Sequence, residues 1–271
     1  MKSVPYAEVI GDPIAHSKSP LIHQFWLEKL GIDADYQMFH VKPDQLQSYI
    51  AERKKDPLWR GCNVTLPHKL AVMDHVSDPG DVKGSIGAMN TIARDERGHL
   101  FGTNTDAGGF FAPLADIPLA GEEIIVVGAG GAAQAVLFAL SRIDVGAVTM
   151  INRNVLKASA LLARFGLKGQ ALGYEAALPP AKLLVNASPL GMAGQEDLIL
   201  DLDNLPADTI VYDLVYVPLK TKLLKAAKAR GLETIDGMTM LIGQAAVAFE
   251  IFFGQAPPLE YDDELRKRLQ A

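Results

Sequence analysis

Four apolar residues, Ile124-Ile125-Val126-Val127, run directly into Gly128-Ala129-Gly130-Gly131-Ala132-Ala133, and no other segment limits the fold so tightly. An uninterrupted apolar run of this length is a strand buried on both faces of a parallel sheet. Small residues at the first, third and sixth positions after it form a turn into a helix that packs back on the strand. Gly128 permits the sharp reversal, Gly130 lets the backbone come close to a pyrophosphate, and Ala133 lets the helix lie against the strand. The N–H groups of the first helical turn are then available to the phosphates. The charge-free stretch 124–140 is too short, and too broken by Gly128, Gly130 and Gly131, to read as a membrane span.

A nucleotide fold of this kind usually places Asp or Glu about 20 residues further on, where it accepts hydrogen bonds from the ribose 2′-hydroxyl. Here the second strand ends Ile151-Asn152-Arg153-Asn154. No carboxylate stands there to repel a 2′-phosphate, and Arg153 offers a bidentate fork to one. The expected cofactor is NADP, not NAD.

The remainder of the chain alternates strand and helix signals, which defines an α/β fold. Strands are expected at 4–10, 36–41 and 62–66, with a hairpin formed by 91–93 and 100–102 around Asp95-Glu96-Arg97-Gly98. Helices are expected over 43–55 and after Ser19-Pro20, with Ser19 as N-cap and a stop at Gly31. An antiparallel edge would make this first sheet mixed. Composition shifts to proline, glycine and acid at 113–123, the clearest boundary signal. Strands at 147–152, 183–186, 209–214 and 233–235 then follow the glycine turn, and a helix pair at 238–253 and 260–269 closes the chain.

At 271 residues and 49% apolar content, the chain is long enough for two modest domains with buried cores. The net charge of −6 and the scattered basic residues argue against a nucleic-acid partner. No leader-like apolar segment follows Met1, so the cytoplasm is the expected compartment. Cys62, the single cysteine, excludes an internal disulfide and any multi-cysteine metal site. The six histidines show no metal-ligand spacing, and no metal is expected.

Four segments ahead of the glycine turn carry small polar groups that packing alone does not require. They are Gly11-Asp12-Pro13-Ile14-Ala15-His16-Ser17-Lys18-Ser19-Pro20, Asn63-Val64-Thr65-Leu66-Pro67-His68-Lys69, Gly87-Ala88-Met89-Asn90-Thr91 and Gly102-Thr103-Asn104-Thr105-Asp106. Downstream stand Asn186-Ala187-Ser188-Pro189-Leu190-Gly191-Met192, Asp213-Leu214-Val215-Tyr216-Val217-Pro218 and Gly237-Met238-Thr239-Met240-Leu241-Ile242-Gly243-Gln244-Ala245. In this order the blocks closely resemble the shikimate dehydrogenase family across nearly the whole chain. Asn154, His68 and Gln24 depart from residues common in the family, all beside the motifs.

The resemblance implies two domains. Residues 1–106, with 238–271 returning to them, would form a mixed-sheet substrate domain. Residues 107–237 would form a doubly wound Rossmann-type NADP domain. It implies that Ser17 and Ser19, with Tyr216 nearby, hold the carboxylate of shikimate, and that Asn63, Thr65, Lys69, Asn90, Asp106 and Gln244 bind its ring hydroxyls. Gly128, Ala129, Gly130, Gly131, Ala132, Asn152, Arg153, Asn154, Asn186, Ala187, Ser188, Leu214, Gly237 and Met240 would line the cofactor.

A small polyol acid offers little apolar area, so selectivity must come from buried polar groups that a wrong ligand leaves unpaired. The family's catalytic pair falls on Lys69 and Asp106. A free lysine amine holds its proton at neutral pH, so Lys69 acts either as the proton-transfer group itself or as a cation that stabilises the alkoxide while Asp106 handles the proton. The expected activity is reversible NADP-dependent reduction of 3-dehydroshikimate to shikimate in the aromatic precursor pathway, by a monomer or homodimer without nucleic-acid or membrane partners. The alternatives are a quinate or dual-specificity dehydrogenase, and an NADP-sensing regulatory protein that has lost the chemistry. The presence of Lys69 and Asp106 counts against the latter.

Overall fold

A computed structural model describes residues 4–270. The chain begins β1 (Tyr6–Gly11), α1 (Ser19–Leu30), β2 (Asp35–His40), α2 (Leu46–Arg53), β3 (Trp59–Val64), α3 (Val82–Ser85), β4 (Thr91–Arg94) and β5 (Leu100–Thr103). It continues α4 (Asp106–Phe111), β6 (Ile124–Val127), α5 (Gly131–Leu140), β7 (Val148–Ile151), α6 (Val155–Arg164), β8 (Gly169–Leu172), β9 (Leu183–Asn186), β10 (Ile210–Asp213), α7 (Lys222–Ala229) and β11 (Glu233–Ile235). Helices α8 (Gly237–Phe253) and α9 (Asp262–Gln270) complete it. None of the helices among the described residues is long and apolar enough to cross a membrane.

Internal contacts divide the chain into one unit of residues 1–105 and 242–271 and a second of residues 106–241. In the first, the sheet order is β2-β1-β3-β4-β5, parallel among β1, β2 and β3 and antiparallel from β3 through β5. The antiparallel register sets Asn63, Thr91 and Thr103 in one row. The carboxyl ends of β1, β3 and β5 and the start of β4 therefore share one rim of the sheet. The second unit holds a six-stranded parallel sheet, β11-β10-β9-β6-β7-β8, with the central pair β9 and β6 where the winding reverses direction. Ligands of such sheets bind beyond the strand carboxyl ends at that switch point. Ile151, Val127, Asn186 and Asp213 align there.

Several expectations are corrected. Ser19 is not the N-cap of α1. Lys18 occupies that position with no side-chain cap, and Ser17 Oγ accepts from the Ser19 amide (3.3 Å). The stretch 43–55 is a 3-10 turn followed by the shorter α2. Strand β8 was not expected because Gly169-Gln170-Ala171-Leu172 is an exposed or half-exposed edge with no apolar alternation. Helix α4 was hidden by its two glycines.

The composition shift at 113–123 lies inside the second unit, because α4 packs on α5 and Phe110 stacks on Tyr212 in that unit's core. The first division between the two units falls between Thr105 and Asp106. The second falls after Leu241, and Met240 is part of the second unit's core.

Candidate active site

In the first unit the polar segments form a cradle at the rim of the sheet. Backbone bonds tie their loops together: Thr65 donates to Ile10 (2.9 Å), Asp12 to Leu66 (3.0 Å), Val64 to Asn90 (2.6 Å) and Met89 to Lys69 (2.8 Å). His68 is buried and its Nε2 bonds the Val41 carbonyl (2.7 Å), so this departure from the family pattern fastens the loop carrying Lys69. Lys69, Thr65 and Ser17 are half-buried.

Behind the rim runs a chain of buried polar side chains. Tyr36 donates to Asn63 Oδ1 (2.6 Å), and Asn63 Nδ2 donates to Thr91 Oγ1 (3.1 Å). Thr91 donates to Asn90 Oδ1 (3.1 Å), which also receives the Thr105 amide (2.7 Å). Asn90 Nδ2 donates to Thr105 Oγ1 (2.9 Å), and Thr105 Oγ1 donates to Gln244 Oε1 (3.4 Å). Every member is buried. Burial of this many polar groups is costly unless each is bonded. Their net contribution to folding is modest, so packing alone would favour apolar residues at these positions.

Tyr36 was not anticipated. It pairs in register with Ala7 of β1, and His23 stacks on its ring at 3.9 Å. Burial holds the phenol proton well above the ordinary tyrosine range, so Tyr36 remains a donor.

The second unit carries the nucleotide motif. Gly128 has φ of 104°, and a Cβ there would meet the Ala187 carbonyl oxygen at 2.9 Å. A Cβ on Gly130 would enter open space, which is the room a pyrophosphate needs. Gly130 is the N-cap of α5, which has no side-chain cap and no acidic residue in its first turn, so its N–H groups suit a phosphate. Ala129 and Ala133 are buried in the core, whereas Gly131 and Ala132 are more open.

Asn152 donates to the Asn154 carbonyl (2.9 Å), and Asn154 Oδ1 caps α6 by accepting from Lys157 (3.0 Å). Arg153 is exposed and makes no ion pair among the described residues. Lys157, also exposed, was not anticipated. A cation in the first turn opposes the helix dipole, and its four-residue spacing from Arg153 is the signal that could have exposed it.

The expectation for Asn186 is narrowed. Its Nδ2 donates to Leu190 (3.0 Å) and Asp213 (2.8 Å), and its Oδ1 accepts from the Ser188 amide (3.1 Å) and hydroxyl (2.7 Å). The side chain is fully spent on shaping the loop through Ala187 and Ser188. Asp213 completes this frame by accepting from Thr221 (2.6 Å) and Val215 (3.0 Å), while burial pushes its carboxyl above the ordinary range.

Gly237 starts α8 where a Cβ would meet the Leu214 and Val215 carbonyls at 2.5 Å. Met240 is buried in the core, and Tyr216 is half-buried with its phenol proton held more tightly by that burial. Asp106 is buried at the first turn of α4.

A parallel sheet with an anion-ready glycine turn, joined in one chain to a unit with a buried amide and hydroxyl cradle, defines a nucleotide-dependent α/β oxidoreductase. Residues 9–92 match the shikimate dehydrogenase substrate binding domain, and residues 237–263 match the shikimate 5′-dehydrogenase C-terminal domain. A shikimate dehydrogenase (NADP(+)) of Sphingopyxis alaskensis is 67% identical over 98% of this chain and 97% of its own length. The chain belongs to the shikimate dehydrogenase family.

Among solved structures, shikimate 5-dehydrogenase from Thermus thermophilus in complex with NADP(H) and shikimate is 38% identical, with a TM-score of 0.87 over 98% of this chain and 100% of that one. Quinate dehydrogenase from Corynebacterium glutamicum in complex with NAD is 29% identical, with a TM-score of 0.85 over 98% of this chain and 99% of its own. The fold is therefore shared by enzymes of different substrate and cofactor, and the side chains must discriminate.

Proposed function

We propose that this chain is an NADP-dependent dehydrogenase that reversibly reduces 3-dehydroshikimate to shikimate. The observation that carries the reading is the buried chain Asn63–Thr91–Asn90–Thr105–Gln244, a set of paired polar groups that a small polyhydroxylated ring can complete and that the fold does not need. Residues 1–106 with 238–271 form the substrate domain in this reading, and 107–237 the NADP domain. NADP suits the second unit because Gly130 leaves space for the pyrophosphate, and because the exposed Arg153 and Lys157 offer cations to a 2′-phosphate with no acid at the end of β7.

When bound, NADPH supplies the hydride that reaches the C3 carbonyl carbon. The protein's task is to hold the ring and manage the proton that the oxygen takes up. Ser17 and Ser19, with Tyr216, receive the carboxylate. Asn63, Thr65, Asn90 and Gln244 receive ring hydroxyls. Lys69 and Asp106 act at the C3 oxygen, where a cation or proton donor counters the charge that develops as the carbonyl becomes an alkoxide. Ala129, Gly131, Ala132, Asn152, Ala187, Ser188, Leu214, Gly237 and Met240 shape the cofactor side. A cytoplasmic setting, where the free buried thiol of Cys62 is stable, and a monomeric or homodimeric state belong to the same reading.

The test is an absorbance assay at 340 nm with purified protein, pairing shikimate or quinate with NADP or NAD. Highest kcat/KM for shikimate with NADP is expected. A preference for quinate would move the protein to the related specificity. The absence of turnover with any pair would refute the reading.

A further inference from the structure

One backbone N–H sets the direction of the buried hydrogen-bond chain in the first unit. The Thr105 amide can only donate, and its acceptor is Asn90 Oδ1 at 2.7 Å. Thr91 Oγ1 lies 3.1 Å from the same oxygen and commits its single proton there. It can then only accept from Asn63, so the Asn63 atom facing it at 3.1 Å is Nδ2. Oδ1 of Asn63 is left facing Tyr36, and the phenol must donate to it at 2.6 Å. The polarity runs one way, from Tyr36 through Asn63 and Thr91 to Asn90.

We propose that Tyr36 is a positioning residue for the substrate: its hydroxyl locks the Asn63 amide so that one Nδ2 proton goes to Thr91 and the other is offered to the ligand. This rests on the reading of Asn63 as a substrate contact. An offered N–H requires a lone pair in return. A hydroxyl and a ketone oxygen both supply one, so the same amide holds the ring before and after reduction. The Tyr36 ring is itself held by the stack with His23 and by its close packing with Phe252.

The experiment compares Tyr36→Phe, Asn63→Ala and the double variant in steady-state kinetics and thermal melts. Tyr36→Phe keeps the ring and its stack but lets the amide rotate. Its KM for shikimate should rise about five- to tenfold, with kcat within about threefold of wild type and the KM for NADP unchanged. Asn63→Ala should raise the shikimate KM at least as much, and adding Tyr36→Phe to it should change KM by less than about twofold, because the effect passes through the amide. An unchanged KM in Tyr36→Phe beside a raised KM in Asn63→Ala overturns the proposal and leaves the reading of Asn63 standing. An unchanged KM in Asn63→Ala overturns both. Equal rises for shikimate and NADP, or a full Tyr36→Phe effect on top of Asn63→Ala, reduce Tyr36 to a structural residue and also overturn the proposal.

Discussion

His23 gives the protein a specific acid sensitivity. The ring is fully buried, neither nitrogen has a hydrogen-bond partner among the described residues, and it lies among Trp26, Tyr36, Phe249 and Phe252. Burial lowers its pKa from 6.5 to about 3, so the folded protein keeps it neutral while the unfolded chain protonates it below 6.5. A depressed base contributes stability that is present above the unfolded pKa and is lost as pH falls. At pH 5 the unfolded chain has gained about 1.5 units of protonation free energy that the folded state cannot match, or about 2 kcal/mol at 1.36 kcal/mol per unit. His23→Phe retains the stack on Tyr36 and removes the titration. Its larger ring costs about 1 kcal/mol of overpacking at every pH, which cancels in the comparison. Denaturant melts of wild type and variant at pH 8 and pH 5 should show wild type losing about 2 kcal/mol more over that interval. Equal losses would mean that His23 takes up its proton in the folded state, through water or rearrangement, and would refute the burial argument.

Three further outcomes follow from the site. Lys69→Ala should lower turnover about 10²- to 10⁴-fold, the scale of a positioned acid, base or charge stabiliser, with the KM for NADP preserved; a loss confined to shikimate affinity would move the chemical role to Asp106. Arg153→Ala should raise the KM for NADP by about tenfold or more and leave that for NAD little changed, and equal effects on both would remove Arg153 from phosphate recognition. Gly128→Ala should cost about 1–3 kcal/mol in a thermal melt, because a side chain at φ of 104° is strained and faces the Ala187 carbonyl. Weaker NADP binding should accompany that loss, and wild-type stability would refute the close approach.

The glycine turn was legible because close backbone approach can be met in only one way, and Gly128 and Gly130 announce it whatever surrounds them. NADP as the cofactor was legible for the opposite reason, since a missing carboxylate at a position defined by spacing is itself a signal. Tyr36 was not. Its contact with Asn63 crosses an intervening strand, so no local pattern in the sequence reports it. Ser19 reads as an N-cap because the local pattern Ser-Pro matches one, whereas the helix takes Lys18 there without a side-chain cap. Asn186 reads as a ligand contact because a motif gives its position and not how its four hydrogen-bonding valences are used. The edge strand β8 was lost for want of a buried face, the one property that periodicity detects.

The hairpin of β4 and β5 separates two ends with opposite tolerance. At one end Thr91 pairs with Thr103 in the row that contains Asn63. At the other, beyond the Arg94–Leu100 pair, Asp95, Glu96 and Arg97 are exposed, and the Asp95 side chain braces the turn by accepting from the amides of Arg97 (2.9 Å) and His99 (2.8 Å). Three residues of strand, about 10 Å, insulate that tip from the polar row. An affinity tag or fluorophore grafted between Glu96 and Arg97 would ride on the sheet without touching the site, and this hairpin is the natural handle for immobilising the enzyme in working form.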